Sequence, residues 1–228
     1  MAQWQRWMAV AVLAGASGLA AAAVGVPGAS NPKLAGMPDG STASSGDVAP
    51  AQSPVLVTGL ALQAGQWLSF SASGAVDHCG GGCPGGTPDG TDLWSNGAEN
   101  GISGIQAPID ALLGVFLGAA QPSLTSAPAS LDFSPAGLGT SFATLAPELK
   151  QVFFIGDGLA AGGLVQQFQV PVGATRLYLA THDGYGWFNN AGSFSVTVSG
   201  VPEPAGWALM LAGAAALAGW SARRRAAA

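Results

Sequence analysis

The chain has 228 residues, enough for one domain with short additional segments. Charged residues make up only 8% of it, against a usual share of about 25%, which excludes a charge-rich disordered protein and a long charged helical bundle. Residues 24–200 contain three basic and eleven acidic residues, a net charge of −8. Nucleic-acid binding is excluded as well, because no basic patch can form to neutralise phosphates.

The N-terminus has the pattern of a secretory signal peptide. Arg6 provides a weakly positive start, residues 8–19 are apolar, and residues 19–23 are rich in alanine and contain A-x-A sites. We therefore assign residues 1–23 to a signal peptide with cleavage near Ala23. The alternative is an uncleaved membrane anchor, although the apolar run is short for one.

The next segment, residues 24–53, is rich in Pro, Gly, Ala, Ser and Asp and shows no periodicity, which predicts a flexible linker. A domain of strands is predicted at 54–200. Apolar runs and alternating apolar and polar residues indicate short strands, at 55–57, 67–73, 111–117, 152–155, 164–170, 177–179 and 193–199. In the clearest of them, Phe194, Val196 and Val198 share one face.

The strand pattern predicts an all-β fold. Glycines and prolines punctuate the junctions, and residues 54–200 contain no convincing amphipathic helix. We expect an antiparallel β-sandwich of the jelly-roll or galactose-binding-like type. Residues 77–106 and 119–148 are too long for hairpin turns, and long loops of this kind are often functional. The second loop offers residues to cover one sheet: Phe133, Phe142 and Leu145.

The C-terminus has three parts: the motif Pro202-Glu203-Pro204, an almost wholly apolar run at 205–222, and a basic cluster of Arg223, Arg224 and Arg225. The run has the minimum length for a bilayer-spanning helix, and the arginines should stay on the cytoplasmic side. This end resembles the PEP-CTERM sorting signal of Gram-negative bacteria. The resemblance implies that residues 201–228 anchor the chain transiently in the inner membrane. Exosortase, a membrane protease, then cuts near the Pro-Glu-Pro motif and leaves the protein at the cell surface or outside. A plain single-pass tail is the alternative.

A loop between two predicted strands, residues 181–190, holds the strongest candidate site. It contains Asp183, Asn189 and Asn190. Carboxylate and amide oxygens, with carbonyl groups that glycines allow to turn inward, are the ligands that Ca²⁺ binds in sets of six to eight. Asp, Asn and Gly also dominate ordinary turns, so a hairpin loop without metal is the alternative.

Residues 69–76 and 176–198 resemble the PA-I-like, or LecA-type, galactophilic lectin family. The shared pattern is an alternating strand ending in Ser-Gly, then Leu-Tyr-Leu-Ala, Asp-Gly, a short turn, and Asn-Asn-x-Gly-Ser-Phe-Ser-Val-Thr-Val. The resemblance implies a small β-sandwich in which calcium bridges the protein and sugar hydroxyl groups. It implies side-chain ligands at Asp183, Asn189 and Asn190 and carbonyl ligands at Gly186 and His78. Asp183 and Asn189 would also contact the sugar.

This chain departs from the lectin pattern at two places. The loop from Asp183 to Asn189 is one residue shorter, which affects the carbonyl of Gly186 most directly. The family's sugar-contacting His and Gln have no match in this chain, where residues 98–101 read Ala-Glu-Asn-Gly. Galactose specificity is therefore not part of the prediction.

Aromatic residues adjoin the candidate loop at Tyr185, Trp187 and Phe188. Aromatic rings stack on the apolar faces of sugars, so Tyr185 and Trp187 are predicted to bind ligand together with Asp183 and Asn189. Packing of these rings at the end of the sandwich is the alternative.

The two cysteines, Cys79 and Cys83, are separated by three glycines. In an exported protein such a pair most simply forms a disulfide. A zinc site that combines them with Asp77 and His78 is the alternative, although four ligands from seven contiguous residues would be unusual.

Catalysis has little support in this sequence. The chain has two histidines, His78 and His182, and none of the common nucleophile or metalloprotease motifs. We expect an exported, non-enzymatic protein that binds carbohydrate through calcium and is associated with an extracellular polysaccharide matrix. The alternatives are a structural matrix protein without sugar binding, and a hydrolase that uses His182 or Asp183.

Overall fold

The computed structural model describes residues 21–43, 46–201 and 213–215. Most of the predicted signal peptide and sorting tail lies outside these ranges. Within these ranges there are three short 3₁₀ turns, at Pro32–Leu34, Pro122–Leu124 and Trp187–Asn189. The strands, in chain order, are β1 (Ala21–Pro27), β2 (Val55–Leu56), β3 (Trp67–Asp77), β4 (Leu93–Asn96), β5 (Ile105–Pro108), β6 (Leu112–Leu117), β7 (Leu131–Asp132), β8 (Thr144–Leu145), β9 (Val152–Phe154), β10 (Leu159–Ala160), β11 (Leu164–Val165), β12 (Gln167–Gln169), β13 (Arg176–Thr181) and β14 (Ala191–Gly200).

The predicted membrane helix at 205–222 falls almost entirely outside the described residues. Of that segment the structure describes only residues 213–215, which are helical. Across the parts of the chain that are described, no helix has the length and apolar character needed to cross a bilayer.

Two sheets build the sandwich. One has the strand order β1-β14-β3-β12-β8 and the other β2-β13-β6-β9. Apolar residues from both sheets meet in a single core, to which Phe70 and Phe194 contribute from the first sheet and Phe116 and Leu179 from the second. The all-β sandwich is therefore confirmed. It is not purely antiparallel, because β8 and β12 pair in parallel, as do β5 and β7 in a separate three-stranded sheet, β4-β5-β7.

Burial follows the predicted strand patterns. In β14 the side chains of Phe194, Val196 and Val198 are buried, and the residues between them are exposed or half-buried, because successive side chains point to opposite faces of a strand. Every residue of β6 and of β9 is buried, as their uninterrupted apolar runs indicate.

The long segment 119–148 closes one side of the core with aromatic side chains. Phe142 contacts Phe168 of β12 edge to face, with ring centroids 5.8 Å apart, and Phe133 lies 5.8 Å from Phe142. Phe133 is buried, and Leu145 packs against the same core. The segment thus covers the sandwich as expected.

The N-terminal segment 24–53 is not the flexible linker that its composition predicts. β1 pairs with β14 from Ala21 opposite Ser199 to Pro27 opposite Ser193. The 3₁₀ turn at Pro32–Leu34 is buried. The segment lacks periodicity because its backbone beyond β1 is irregular. Among its described polar residues, Asn31 and Asp47 are nevertheless buried and hydrogen-bonded to each other. The expected cleavage near Ala23 falls within β1.

Lys33 is a buried cation within this segment. Its side chain is 3% exposed, and its Nζ donates a hydrogen bond to the Ser103 carbonyl. Burial lowers the pKa of Lys33 from 10.5 to about 7, and the Glu99 carboxylate opposes this shift. Burial disfavours the charged amine because the interior solvates it less well than water does.

Stability should therefore rise between pH 7 and pH 9. In the unfolded chain Lys33 keeps its proton up to about pH 10.4, whereas in the folded protein it loses the proton above about pH 7. The unfolded state binds more protons over this range, so the free energy of unfolding should increase by about 2 kcal/mol. Urea unfolding at both pH values measures the increase. Lys33→Met should abolish it, and Lys150→Met, which removes a charge from a more exposed position, should leave it in place. An undiminished rise in Lys33→Met would contradict the assignment.

Candidate functional site

The candidate loop joins the two sheets at one end of the sandwich. β13 ends at Thr181 in one sheet, and β14 begins at Ala191 in the other. Asp77, the last residue of β3, lies opposite Ala191 in the strand register. The loop 182–190 therefore adjoins the segment that follows β3 and carries His78 and the two cysteines.

Glycines shape this loop. Gly186 has a φ of +86°, in the left-handed region that favours glycine, and it begins the 3₁₀ turn Trp187–Asn189. A Cβ at Gly184 would lie 2.0 Å from Nε1 of Trp94, so the indole rests directly on the loop backbone. Asp183 Oδ1 accepts a hydrogen bond from the Tyr185 N–H at 3.1 Å, which closes the turn after Asp183.

Buried carboxylates at this end of the fold include Asp77, Asp110 and Asp183. Both carboxylate oxygens of Asp110 are within hydrogen-bonding distance of His78 Nδ1, at 3.0 and 3.1 Å. Asp110 has a φ of +68°, a conformation that costs a non-glycine residue about 1 kcal/mol or more. The strained backbone places a fully buried acid in the short connection between β5 and β6.

Burial disfavours the ionised forms of Asp110 and Asp183. Burial raises the pKa of Asp110; the His78 side chain lowers it, and the charges of Asp183 and Asp77 raise it. Burial also raises the pKa of Asp183, and the Tyr185 N–H and the Asn190 side chain oppose that shift. A cation bound to Asp183 would relieve the desolvation of its carboxylate and its repulsion with Asp110.

Several buried polar atoms beside the loop have no hydrogen-bond partner. Among the described side chains such atoms are Asn96 Oδ1, His182 Nε2, Asp183 Oδ2 and Asn190 Oδ1; a fifth, Gln166 Oε1, lies elsewhere, where the amide nitrogen of Gln166 donates to the Thr140 and Phe142 carbonyls. The amide nitrogens of the two asparagines are occupied, since Asn96 Nδ2 donates to the Asp183 carbonyl and Asn190 Nδ2 to the Gly28 carbonyl, both at 3.2 Å. Buried oxygens without a donor are uncommon and costly, and oxygen is the ligand atom that Ca²⁺ requires. The donor set therefore fits calcium.

The predicted calcium ligands have different surroundings. Asp183 and Asn190 lie together with their unpartnered oxygens, and Gly186 is buried in the turn. Asn189 is exposed, and its backbone carbonyl lies near Gly80, where a Cβ would be 3.2 Å away. The His78 side chain faces Asp110, while its carbonyl belongs to the segment that follows β3.

Trp187 does not have the predicted ligand-binding surface. Its side chain is 3% exposed, and its Nε1 donates a hydrogen bond to the Thr181 carbonyl at 2.9 Å. It packs inside the end of the sandwich and cannot stack on a ligand, which corrects the prediction. Tyr185 and Phe188 are exposed, at 72% and 59%.

Asp47, from the N-terminal segment, holds the loop in place. Its carboxylate accepts hydrogen bonds from the N–H groups of Trp187 at 3.2 Å and Phe188 at 2.8 Å, and from Asn31 Nδ2 at 2.8 Å. A carboxylate at the start of a helical turn satisfies N–H groups that have no partner within the turn. Asp47 therefore positions the turn that carries Asn189.

Sequence reasoning did not single out four residues that adjoin the site: Asp47, Trp94, Asn96 and Asp110. Trp94 and Asn96 are two residues apart in β4 and therefore lie on the same face of the strand. An aromatic residue and an amide at this spacing could have indicated a surface that belongs to the site. Asp110 follows Pro108 and Ile109 directly before a buried strand, where an acid suggests an ordinary turn.

Cys79 and Cys83 form the predicted disulfide, with Cα atoms 5.7 Å apart. The Asp77 carboxylate accepts hydrogen bonds from the Cys79 N–H at 2.6 Å and the Cys83 N–H at 3.2 Å. Ligand atoms of His78 and both cysteines lie within 4.8 Å of one another. Zinc needs thiolates, and sulfurs bonded to each other are not thiolates, so this arrangement favours the disulfide over the zinc site.

Comparisons with known proteins identify no family. No protein-family profile matches the chain, and no curated protein does. Among solved structures, an EclA N-terminal domain, described as a PllA-like lectin, matches with a TM-score of 0.38 and 16% sequence identity, over 82% of this chain and 100% of that one. A TM-score this low carries no argument, so the fold described above rests on the strand pairing alone.

Proposed function

We propose that the protein binds a carbohydrate through a calcium ion held by the loop 182–190. The observation that carries this proposal is that Asp183 Oδ2 and Asn190 Oδ1 of one loop are both buried and without hydrogen-bond partners, and that the charge of Asp183 acts on the buried carboxylate of Asp110. Burial raises the pKa of both acids, so the site gains most from a cation that compensates their charge.

The residues that would hold calcium are the side chains of Asp183, Asn189 and Asn190, with the carbonyl groups of Gly186 and His78. They provide fewer oxygens than the six to eight that Ca²⁺ accepts, so coordination positions remain for ligand hydroxyl groups. The bound ion would supply charge compensation and direct attraction for those hydroxyls. The chain's own contribution is to hold the oxygens in one place through the turn at Gly186 and the hydrogen bonds from Asp47.

Binding is a better account of this site than hydrolysis. His182, the candidate base, is completely buried, and its Nδ1 lies 3.0 Å from the Pro108 carbonyl. Burial lowers the pKa of His182 to about 4, so at neutral pH it is uncharged. A buried imidazole that a substrate cannot reach does not serve as a general base.

Calcium titration calorimetry on the exported protein, followed by a glycan array with calcium or with a chelator, tests the proposal. We expect calcium to bind and glycan signals to disappear with the chelator. Calcium binding with silence across all glycans would favour a structural matrix protein, the second candidate. No calcium binding at millimolar concentration would reject the calcium-dependent lectin.

We further propose that exosortase sorts the protein to the cell exterior and to its polysaccharide matrix. The Pro202-Glu203-Pro204 motif, the apolar run after it and the terminal arginines support this proposal. The motif directly follows Val201, whose N–H donates a hydrogen bond to the Trp67 carbonyl at 2.8 Å. Intact mass of the exported form should show a start near Val24 and an end near Pro202. Cleavage there would leave residues 24–27 to pair with β14. Recovery of the full tail outside the cell would contradict sorting by cleavage.

A further inference from the structure

We propose that His78, Cys79 and Cys83 form a zinc site that is controlled by the redox state of the two cysteines. In the form described above the cysteines are joined as a disulfide. When a thiol reductant opens this disulfide, the two thiolates and the His78 imidazole bind Zn²⁺, and re-oxidation releases the ion. The site uses nitrogen and sulfur ligands and none of the oxygens of the proposed calcium loop, so it does not depend on the proposed function.

The three ligand atoms already lie together in one short segment. A ring nitrogen of His78 and the sulfurs of both cysteines are within 4.8 Å of one another. His78 Nε2 lies 3.9 Å from Cys83 Sγ. A nitrogen and a sulfur that share a tetrahedral zinc ion are about 3.6 Å apart, given Zn–N and Zn–S bonds of about 2.0–2.1 and 2.3 Å. The imidazole is therefore already close to the position of a zinc ligand.

Asp110 orients the imidazole for this role. Its side chain is fully buried, and its two carboxylate oxygens lie 3.0 and 3.1 Å from His78 Nδ1. An ionised carboxylate only accepts hydrogen bonds, so Nδ1 donates to it and Nε2 keeps its lone pair for a metal. Histidines that bind metals commonly donate their other ring N–H to a carboxylate, which fixes the tautomer and the ring orientation. Asp110 is therefore a positioning residue for the proposed ligand His78.

Asp77 holds the two cysteines together independently of the disulfide. Its carboxylate accepts hydrogen bonds from the Cys79 N–H at 2.6 Å and the Cys83 N–H at 3.2 Å. Gly80 and Gly81 have φ angles of +70° and +85°, in the left-handed region, and these let the segment turn back on itself between the cysteines. Because these contacts do not involve the sulfurs, the backbone that carries the two cysteines can keep its shape after reduction. Two sulfurs on one tetrahedral zinc ion are about 3.8 Å apart, which Cα atoms separated by 5.7 Å allow.

The donor set favours zinc over calcium. Thiolates and imidazole are ligands for Zn²⁺, whereas Ca²⁺ binds oxygen. The Asp77 carboxylate is already used by two N–H groups, so the set consists of three ligands and leaves the fourth tetrahedral position to water or an external ligand. The His78 side chain is 28% exposed, and both cysteines are half-buried, so an ion can reach the site.

The redox step is a thiol–disulfide exchange. Two thiol groups of the reductant transfer two electrons and two protons to the Cys79–Cys83 disulfide. The S–S bond breaks to give two cysteine thiols, and the reductant becomes a disulfide. Zinc binding then displaces the two thiol protons into solvent, because the metal binds thiolates. Re-oxidation of the cysteines removes two of the three ligands together, and this releases the ion.

Zinc calorimetry on the exported protein in its oxidised and reduced forms tests the inference, with excess calcium present to fill oxygen sites. A phosphine opens the disulfide and is removed under argon before the titration. We expect one zinc ion per reduced chain, and an affinity at least about 100-fold weaker in the oxidised form. Iodoacetamide labelling read by mass spectrometry should modify Cys79 and Cys83 in the reduced protein, and zinc should protect both.

Variants distinguish this site from a plain pair of thiols. His78→Gln should weaken zinc binding by the reduced protein about 10-fold or more, because it removes a ligand, and Asp110→Asn should weaken it about 10-fold through His78. Asparagine tolerates the positive φ at position 110, and circular dichroism checks that the variant folds. Asp132→Asn removes a carboxylate of β7 and is the matched control. It should keep zinc affinity within about 2-fold of the parent protein.

The outcomes decide the inference without reference to calcium or sugar. Equal zinc affinity in the oxidised and reduced proteins overturns the redox control, and no zinc binding by the reduced protein overturns the site. Unchanged affinity in His78→Gln overturns the three-ligand assignment, because two thiols alone would then account for binding. If Asp110→Asn does not fold, His78→Gln, at a partly exposed position, still decides. Failure of the zinc site leaves the proposed calcium loop intact, and failure of the calcium loop leaves the zinc site intact.

Discussion

Replacing Asp183 by Asn should have opposite effects with and without calcium. At a calcium concentration about 100-fold above its dissociation constant, binding stabilises the folded protein by about 2.7 kcal/mol, a rise in Tm of about 5–10 °C for a domain of this size. Asp183→Asn should reduce this rise to near zero, because it removes the charged ligand. Differential scanning fluorimetry with calcium and with a chelator measures both states.

Without calcium the same variant should be at least as stable as the parent protein. Burial raises the pKa of Asp183. A carboxyl group with a raised folded-state pKa stabilises the fold below its unfolded-state pKa, and that contribution is lost as the pH rises through the folded-state value. At neutral pH the ionised Asp183 therefore costs stability, and the neutral amide removes this cost. Asp39→Asn, at an exposed position, is the matched control and should change neither state. A calcium-induced rise of equal size in Asp183→Asn would refute the ligand assignment.

Removing the Asp47 carboxylate should weaken calcium binding without touching any ligand. Asp47→Ala deletes the acceptor for the N–H groups of Trp187 and Phe188 and for Asn31 Nδ2. Each buried donor left without a partner costs about 1–3 kcal/mol, so the free energy of unfolding should fall by about 3 kcal/mol or more. Calcium affinity should fall about 10-fold, since the loop must then be ordered on binding. Urea unfolding and calcium calorimetry give the two values.

Two comparison variants make the Asp47 prediction specific. Asp47→Asn retains one acceptor oxygen and should give intermediate values for both quantities. Asp132→Ala removes a carboxylate that also accepts a backbone N–H, from Ser134 at 2.8 Å, but belongs to β7. It should cost about 1 kcal/mol and leave calcium affinity unchanged. Equal losses of calcium affinity in Asp132→Ala and Asp47→Ala would show that general destabilisation, and not positioning of the loop, is responsible.

The strands were predictable because their burial has a short sequence period. Alternation identifies the buried face of β14, and continuous apolar runs identify β6 and β9. The candidate loop was selected from sequence because Asp183, Asn189 and Asn190 lie within eight residues, and its role as a calcium site stays a prediction. For these features local sequence and tertiary environment agree.

The rest of the site depends on contacts between distant parts of the chain. Asp47 meets Trp187 across 140 residues, and Asn96 meets Asp183 across 87. Composition indicated a linker for residues 24–53, because polar groups that find specific partners look the same in sequence as those that face water. Trp187 and Tyr185 are two residues apart, yet one is buried and the other exposed, since an irregular loop has no period that reveals its faces.

β14 connects the candidate site to the chain's exit from the fold. It begins at Ala191, directly after Asn190, and ends at Gly200, a span of about 30 Å. If the chain is held at its C-terminal segment while a polymer is bound at the loop, tension between the two points runs along this strand. β14 lies between β1 and β3 and is hydrogen-bonded to both. Tension along β14 therefore acts as a shear force that all of these hydrogen bonds share at the same time. Hydrogen bonds between strands withstand a shear force better than a peeling force, because under peeling they break one after another.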